Sequence, residues 1–280
     1  MEQKLSPRRQ VYDRGLRALL WVCAGVTCAL LVFLIGYIFY RGLGSITWEL
    51  LTTQTSYIKD TIGILPNILN TLYIIFVAML IVLPLGVGAA IYLTEYATNH
   101  KVVELIEFAT ETLTGIPSII FGLVGMLFFV QKLGLAPGIL AGGLTLVIMI
   151  LPLIIRTTEE ALISVPDSYR EGSFGLGAGR LRTVFSVVLP SAIPGILAGV
   201  ILAIGRIVGE SAALIFTAGT VADTATSLMS SSRTLSVHLY CLLTEGLYTK
   251  QAYATAVVLL LLVLIINGIS NFVAKKIAKA

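Results

Sequence analysis

What this chain has least of is charge. Aspartate, glutamate, lysine and arginine make up 12% of its 280 residues, where a soluble domain of that size carries roughly a quarter. So few polar side chains cannot clothe a water-facing surface, which excludes an ordinary soluble globule. Histidine is nearly missing: His100 and His238 are the two present, and no HExxH pattern contains them. Cysteine is scarce too, and Cys23, Cys28 and Cys241 fit neither a disulfide framework nor a metal cluster. They read as small apolar residues. A G-x-S-x-G elbow is absent, as is the G-x-x-x-x-G-K-[ST] phosphate loop. With no catalytic constellation in view, the chain is expected to be no enzyme and to carry no cofactor or metal.

What remains is apolar: 57% of the residues are hydrophobic and the mean hydropathy is +0.94. A bilayer core takes about 20 apolar residues of helix to cross. Six stretches of the sequence qualify: Ala18–Tyr40, Ile64–Ala97, Phe108–Val130, Ala136–Ile155, Ile193–Ala218 and Ala252–Val273. Backbone N–H and C=O groups find no water in lipid, so these stretches must be helices rather than open strands. The expected fold class is therefore an all-α polytopic membrane protein with six transmembrane helices. Pro66 and Pro84 are expected to bend or tilt the second stretch, and the fourth contains Pro137 and Pro152. The first stretch is too long for a cleaved signal peptide and lacks a small-x-small site after Tyr40.

Basic residues set the orientation. With the N-terminus in the cytoplasm, Lys4, Arg8, Arg9, Arg14, Arg17, Lys101, Arg156, Arg170, Arg180, Arg182, Lys275, Lys276 and Lys279 fall inside. Only Arg41, Lys59, Lys132, Arg233 and Lys250 fall outside, and Arg206 falls within a span. The asymmetry favours both termini in the cytoplasm of a multi-pass membrane protein. The net charge of +4 reflects this clustering at helix ends, and no nucleic-acid partner is expected. Residues 1–17 form a basic cytoplasmic segment expected to lie along the inner face. Residues 18–63 hold the first helix and a short external loop. Two connections are long, a cytoplasmic one over 156–189 and an external one over 220–251, and loops of that length usually have structure of their own.

In the cytoplasmic loop, Pro166 and Asp167 look like a helix start. Gly175, Gly177 and Gly179 break that helix, and a second short helix from about Arg180 is expected to end near Leu189–Pro190. A glycine-rich run without a preceding strand is a weak nucleotide signal, so the choice lies between a solvated connection and a surface that receives another protein. The segment from Glu171 resembles the signature of ABC importer permeases, E-A-A-x3-G-x9-I-x-L-P. Glu171, Gly172 and Ser173 take its first three places, Gly177 its glycine, and Val187, Leu189 and Pro190 its end. The departures are small-for-small and Val187 for isoleucine. Asn70-Thr71, Pro84-Leu85-Gly86 and Ala90-Ile91-Tyr92-Leu93 are also similar to the core of such permeases.

That resemblance implies a MetI-like permease core over 64–280 with cytoplasmic coupling helices. It implies that Glu171, Gly172, Ser173, Gly177, Leu189 and Pro190 couple the chain to a dimer of ATP-binding subunits, which hydrolyse the ATP.

Arg206 and Glu210, in GRIVGESAALIFTAG, are the charges deepest in an apolar run. A charge near mid-membrane costs roughly 2.5–3.5 kcal/mol on insertion scales, so such residues face a bundle interior or a wet path. Four residues apart on a helix, they are expected to share a face and pair. One reading is a buried ion pair that only locks the fifth helix to its neighbours. The other is an anion path, with Ser211 contributing a hydroxyl: guanidinium offers a fork of donors matching phosphate oxygens. Glu210 then holds Arg206 when no anion is bound and accepts a hydrogen bond from a protonated phosphate, a proton that sulfate lacks. Gly195 with Gly199, and Gly205 with Gly209, are spaced for close helix packing.

This segment, with Gly115-Ile116-Pro117-Ser118-Ile119 and Phe121-Gly122, resembles the phosphate-specific permeases of the PstA type. That likeness implies phosphate as substrate, a second permease subunit of the PstC type, ATP-binding subunits of the PstB type and an external phosphate-binding protein of the PstS type, which the 220–251 loop is placed to contact. Three alternatives stay open: an importer permease for molybdate or sulfate, an ion-coupled carrier independent of ATP, and a membrane scaffold that transports nothing.

Overall fold

The computed structural model describes residues 7–56 and 61–277. The expected inner-face contact of Lys4, the external Lys59 and the terminal Lys279 lie outside them. Long apolar runs have become helices, as the absence of backbone partners in hydrocarbon requires. In chain order they are α1 (Pro7–Gly42), the short α2 (Trp48–Thr52), a hairpin of β1 (Gln54–Ser56) and β2 (Thr61–Ile64), α3 (Leu65–Ile91), α4 (His100–Thr114), α5 (Ser118–Gly125), α6 (Ile139–Ile163), α7 (Asp167–Gly175), α8 (Arg180–Thr183), α9 (Leu189–Gly209), α10 (Ala212–Thr217), α11 (Leu235–Glu245) and α12 (Thr249–Ile277). The hairpin is antiparallel, with Gln54 opposite Ile64. Among the described residues five helices are long and apolar enough to cross a bilayer, and a sixth if one bent pair counts as a single span.

Several boundaries differ from the sequence reading. The third span is not one helix over Phe108–Val130: α4 meets the helix running from Ser118 to Lys132 at 101°. Pro117 supplies no N–H and keeps Ile116 out of the helical region, so the chain turns there. The fourth helix begins after Pro137 and runs past Ile155 to Ile163, which takes its last turns out of the loop assigned to 156–189. The fifth span was expected from Ile193 to Ala218, but it starts at Arg180 and stops at Gly209. The segment at Arg180 therefore does not end at Leu189–Pro190. It runs into α9 through a wider, π-type stretch at Val184–Val188, which accommodates the N–H that Pro190 lacks. The described residues before Ala18 continue α1 as one helix rather than turning to lie flat.

Acyl chains are as apolar as leucine, so helices in a bilayer associate through close packing rather than through apolar burial. The seams show it. Of the most apolar stretch of α6, 67% is buried inside the chain, against 0% for α1 and 6% for α12. α6 is thus the central strut, with α3 and α9 on its flanks and α5 and α10 closing against it. Ile74, Val82, Leu146, Ile150, Ile154, Ile207 and Leu214 fill this core. A side-chain carbon at Gly86 would come within 2.5 Å of Ile154, and one at Gly195 within 2.6 Å of Ala161. α1 leans on α12, where Arg41 stacks over the Tyr253 ring at 5.4 Å and Tyr37 meets that ring edge-on.

Candidate functional site

At the α7 end of the bundle, most of the residues matched to the coupling signature lie on or beside one groove. Pro166 precedes α7 and Asp167 stands in its first turn, where a carboxylate suits the positive end of the helix. α7 ends at Gly175, and Gly177 turns the chain with φ +82, a conformation glycine takes without a Cβ clash. α8 then returns beside α7, and the Ser173 and Thr183 hydroxyls share a hydrogen bond of 2.8 Å between the two. The resulting groove, about 450 Å³, is lined by Tyr169, Gly172, Ser173, Leu176, Gly177 and Val187 among others. Glu171 is exposed on α7 and does not line it. Leu189 packs into a small core with Ala161, Leu162 and Val188, and Pro190 is exposed. Leu176 is 92% exposed. This leaves an apolar residue in front of the groove with nothing of this chain upon it.

The sequence reading treated Arg170 only as an orienting charge and passed over Glu95. The structure joins them. Glu95 lies in a π-type turn, Tyr92–Tyr96, that continues α3, and it is 8% exposed. Arg170 Nη2 and Nε donate to Glu95 Oε1 at 2.7 and 3.1 Å. The same guanidinium donates from Nη1 to the Val165 carbonyl (2.8 Å) and from Nη2 to the Leu162 carbonyl (3.0 Å), the latter in the last turn of α6. Nη1 also reaches Asp167 Oδ1 at 3.2 Å. Arg180 lies over the Tyr96 ring at 5.3 Å. The sequence hint was a lone acid, Glu95, closing an apolar run with no base one helical turn away.

Around Arg206 the helix expected to carry the Arg206–Glu210 pair ends. Arg206 occupies the last turn of α9, where exposed carbonyls favour a cation. Glu210 is extended (φ −76, ψ 124), so the two are not on one helical face. No ion pair among the described residues includes Arg206. Instead Glu210 Oε1 accepts from the Ala213 N–H at 3.0 Å and so starts α10, while its carbonyl accepts from the Ser236 hydroxyl at 2.6 Å. Arg206, Glu210 and Ser211 are all half-buried. Of the four glycines, Gly195 and Gly199 pack on Ala161 and Thr157 of α6, whereas Gly205 and Gly209 meet nothing within 4 Å. Thr217 is buried and bonds the Ala213 carbonyl, so it serves its own helix.

A buried polar network at the α11 end also escaped the sequence reading. Arg233, 5% exposed, donates from Nε to the Thr220 carbonyl at 2.8 Å and lies 3.1 Å from His238 Nδ1. Arginine only donates, so Nδ1 accepts and the histidine proton sits on Nε2. Burial, with the Arg233 charge behind it, pushes the His238 imidazole down to about 3. Asn67 and Asn70 of α3 both donate to the Arg233 carbonyl, and Asn70 also bonds the 220s loop at Asp223 and Ala225. The signal was two asparagines within an apolar run.

The comparisons with known proteins decide the family. Residues 82–279 match the model described as binding-protein-dependent transport system inner membrane component. The chain belongs to that family. It is 36% identical, over 97% of its length and 98% of the relative's, to the probable ABC transporter permease protein YqgI of Bacillus subtilis. It is 31% identical, over 77% of its length and 72% of the relative's, to the phosphate transport system permease protein PstA 1 of Mycobacterium tuberculosis. Its fold matches a chain of a bacterial alginate ABC transporter, complexed with an alginate-pentasaccharide-bound periplasmic protein, with a TM-score of 0.66 at 15% identity, over 97% of this chain and 96% of that one. The match from residue 82 covers the α6–α9 strut, the α7 groove and Arg206, and leaves α1 and the hairpin before it. As an ABC importer permease, this chain is a membrane subunit of a larger assembly.

Proposed function

We propose that this chain forms half of a phosphate path in an ATP-driven importer of the cytoplasmic membrane, paired with a second permease subunit. The observation that carries the reading is Arg206: a half-buried arginine in the last turn of an apolar helix, paired with no carboxylate among the described residues, beside the open space at Gly205 and Gly209. Irregular backbone at membrane depth persists where it is buried in protein or lines a wet cavity, and the break at Glu210–Ser211 suits the second case. A planar fork of donors that stays charged fits a phosphate oxyanion. The likeness to a phosphate transport system permease supports that choice of anion; the fold, shared with an alginate transporter, does not choose. With one oxygen engaged by Ala213, Glu210 has its other oxygen to accept the proton of a hydrogenphosphate, which favours phosphate over sulfate.

ATP-binding subunits dock on the cytoplasmic face at the α7–α8 groove, with Glu171 at its edge and Leu176 entering the partner. A phosphate-binding protein delivers its cargo on the opposite face, near α11. The test is ATP-driven phosphate uptake by the reconstituted assembly, with sulfate as competitor. Arg206→Gln is expected to lower uptake at least about tenfold, a loss of ~1.4 kcal/mol or more of productive interaction, with all subunits still assembled. Glu210→Gln is expected to let sulfate compete. Near-normal uptake by Arg206→Gln makes the arginine structural and removes the main support for an anion path through this segment.

A further inference from the structure

We propose that Arg170 is the positioning residue that turns movement of the docking helix α7 into movement of α3 and α6. The inference rests on the docking role proposed above for α7 and adds the route by which force enters the bundle. α7 by itself is a poor lever. It has no buried residue, so side-chain packing does not hold it to the core, and on its far side the chain turns away at Gly177. Besides the Ser173–Thr183 hydroxyl bond to α8, what fastens it to the ends of α3 and α6 is one guanidinium. Arg170 projects from α7 with its side chain 17% exposed and takes hold of three segments at once: the Glu95 carboxylate beyond α3, the Leu162 carbonyl in the last turn of α6, and the Val165 carbonyl in the α6–α7 connection.

The geometry suits transmission rather than mere attachment. A forked, planar cation with donors in fixed directions resists rotation about each bond, as a single ammonium does not. Glu95 stands in the wide turn Tyr92–Tyr96, and such turns are frequent at functional positions in helices. Arg180, at the start of the continuous helix that becomes α9, stacks on Tyr96 of that same turn. The end of α3 is thus gripped from α7 and touched from α8, so a displacement of the groove reaches α3, α6 and α9 together. A bundle whose packed seams permit few intermediate arrangements then answers as a unit.

The experiment uses the full assembly in nanodiscs, with Cys23, Cys28 and Cys241 replaced by serine and spin labels at Thr98→Cys and Ser168→Cys, one beyond the α3 turn and one on α7. With Arg170 present, the label distance is expected to be narrow and to stay within about 2 Å between nucleotide-free and ATP-bound states. In Arg170→Ala, and in the milder Glu95→Gln, the distribution broadens and shifts with nucleotide. ATP consumed per phosphate imported then rises at least about tenfold. Arg170→Lys keeps the charge but loses the fork, and it is expected to leave the distribution broad. A distance that moves by more than about 2 Å with nucleotide in the Arg170 protein, a narrow distribution in both variants, or full rescue by lysine each overturns the proposal. Protection of Leu176→Cys from thiol reagents by the bound ATP-binding subunits tests docking separately, so its failure is told apart from failure of the Arg170 link.

Discussion

His238 shows how much one buried side chain depends on its neighbour. It accepts from Arg233, it has no partner on Nε2 among the described residues, and its burial and the Arg233 charge hold it neutral, at about 3 instead of 6.5. The unfolded chain takes up a proton on this residue below pH 6.5 and the folded chain does not. Stability therefore falls as the pH drops from about 6.5 toward 3, by roughly 1.4 kcal/mol for each unit. Thermal melts of the detergent-solubilised protein between pH 7 and 4.5 are expected to fall more steeply for wild type than for His238→Gln, which keeps an acceptor for Arg233 and cannot titrate. Parallel curves would show that His238 does not set the acid limit. Arg206 was legible at this scale because a charge inside an apolar run advertises itself. Its separation from Glu210 was not: counting four residues assumes an unbroken helix, and the helix ends between them.

Helices α6 and α9 meet through small residues, and that seam makes a prediction of its own. A side-chain carbon at Gly199 runs into the Thr157 hydroxyl of α6, while one at Gly205 meets nothing within 4 Å. Gly199→Leu is expected to push the two helices apart and destabilise the chain by about 1–3 kcal/mol, as overpacking does, read as a lower Tm. Gly205→Ala is expected to leave Tm unchanged or slightly raised, because alanine restricts the unfolded chain more than glycine does. If Gly205→Ala nonetheless lowers uptake, the open space beside Arg206 is used in transport; an unaffected uptake makes it idle. The glycine spacing in the sequence announced both pairs alike, and only the packing separated them. Prolines were equally double-edged. Pro84, Pro152 and Pro194 sit inside continuous helices, whereas Pro117 lies at a 101° bend.

Across the whole molecule, the distribution of lysine and arginine predicts that α7 faces the cytoplasm and α11 the outside. A cysteine placed at Leu176 in a background without the three natural ones is expected to react with a membrane-impermeant reagent only in inside-out vesicles, and one at Leu247, 80% exposed, only in right-side-out cells. The opposite pattern would reverse the orientation. The sequence by itself determined that this chain lies in a membrane, roughly where its long helices run, and which permease family it joins. Those features follow from local facts: the length of an apolar run, the spacing of a docking signature, the charge at helix ends. Only the tertiary structure decided that the third span is bent, that Glu210 starts a new helix instead of pairing with Arg206, and that Arg170 clasps Glu95, 75 residues away in the chain. Each of these turns on which backbone groups and charges find partners across the bundle. In a medium without water, that matching of partners is set by three-dimensional packing and has no periodicity along the sequence.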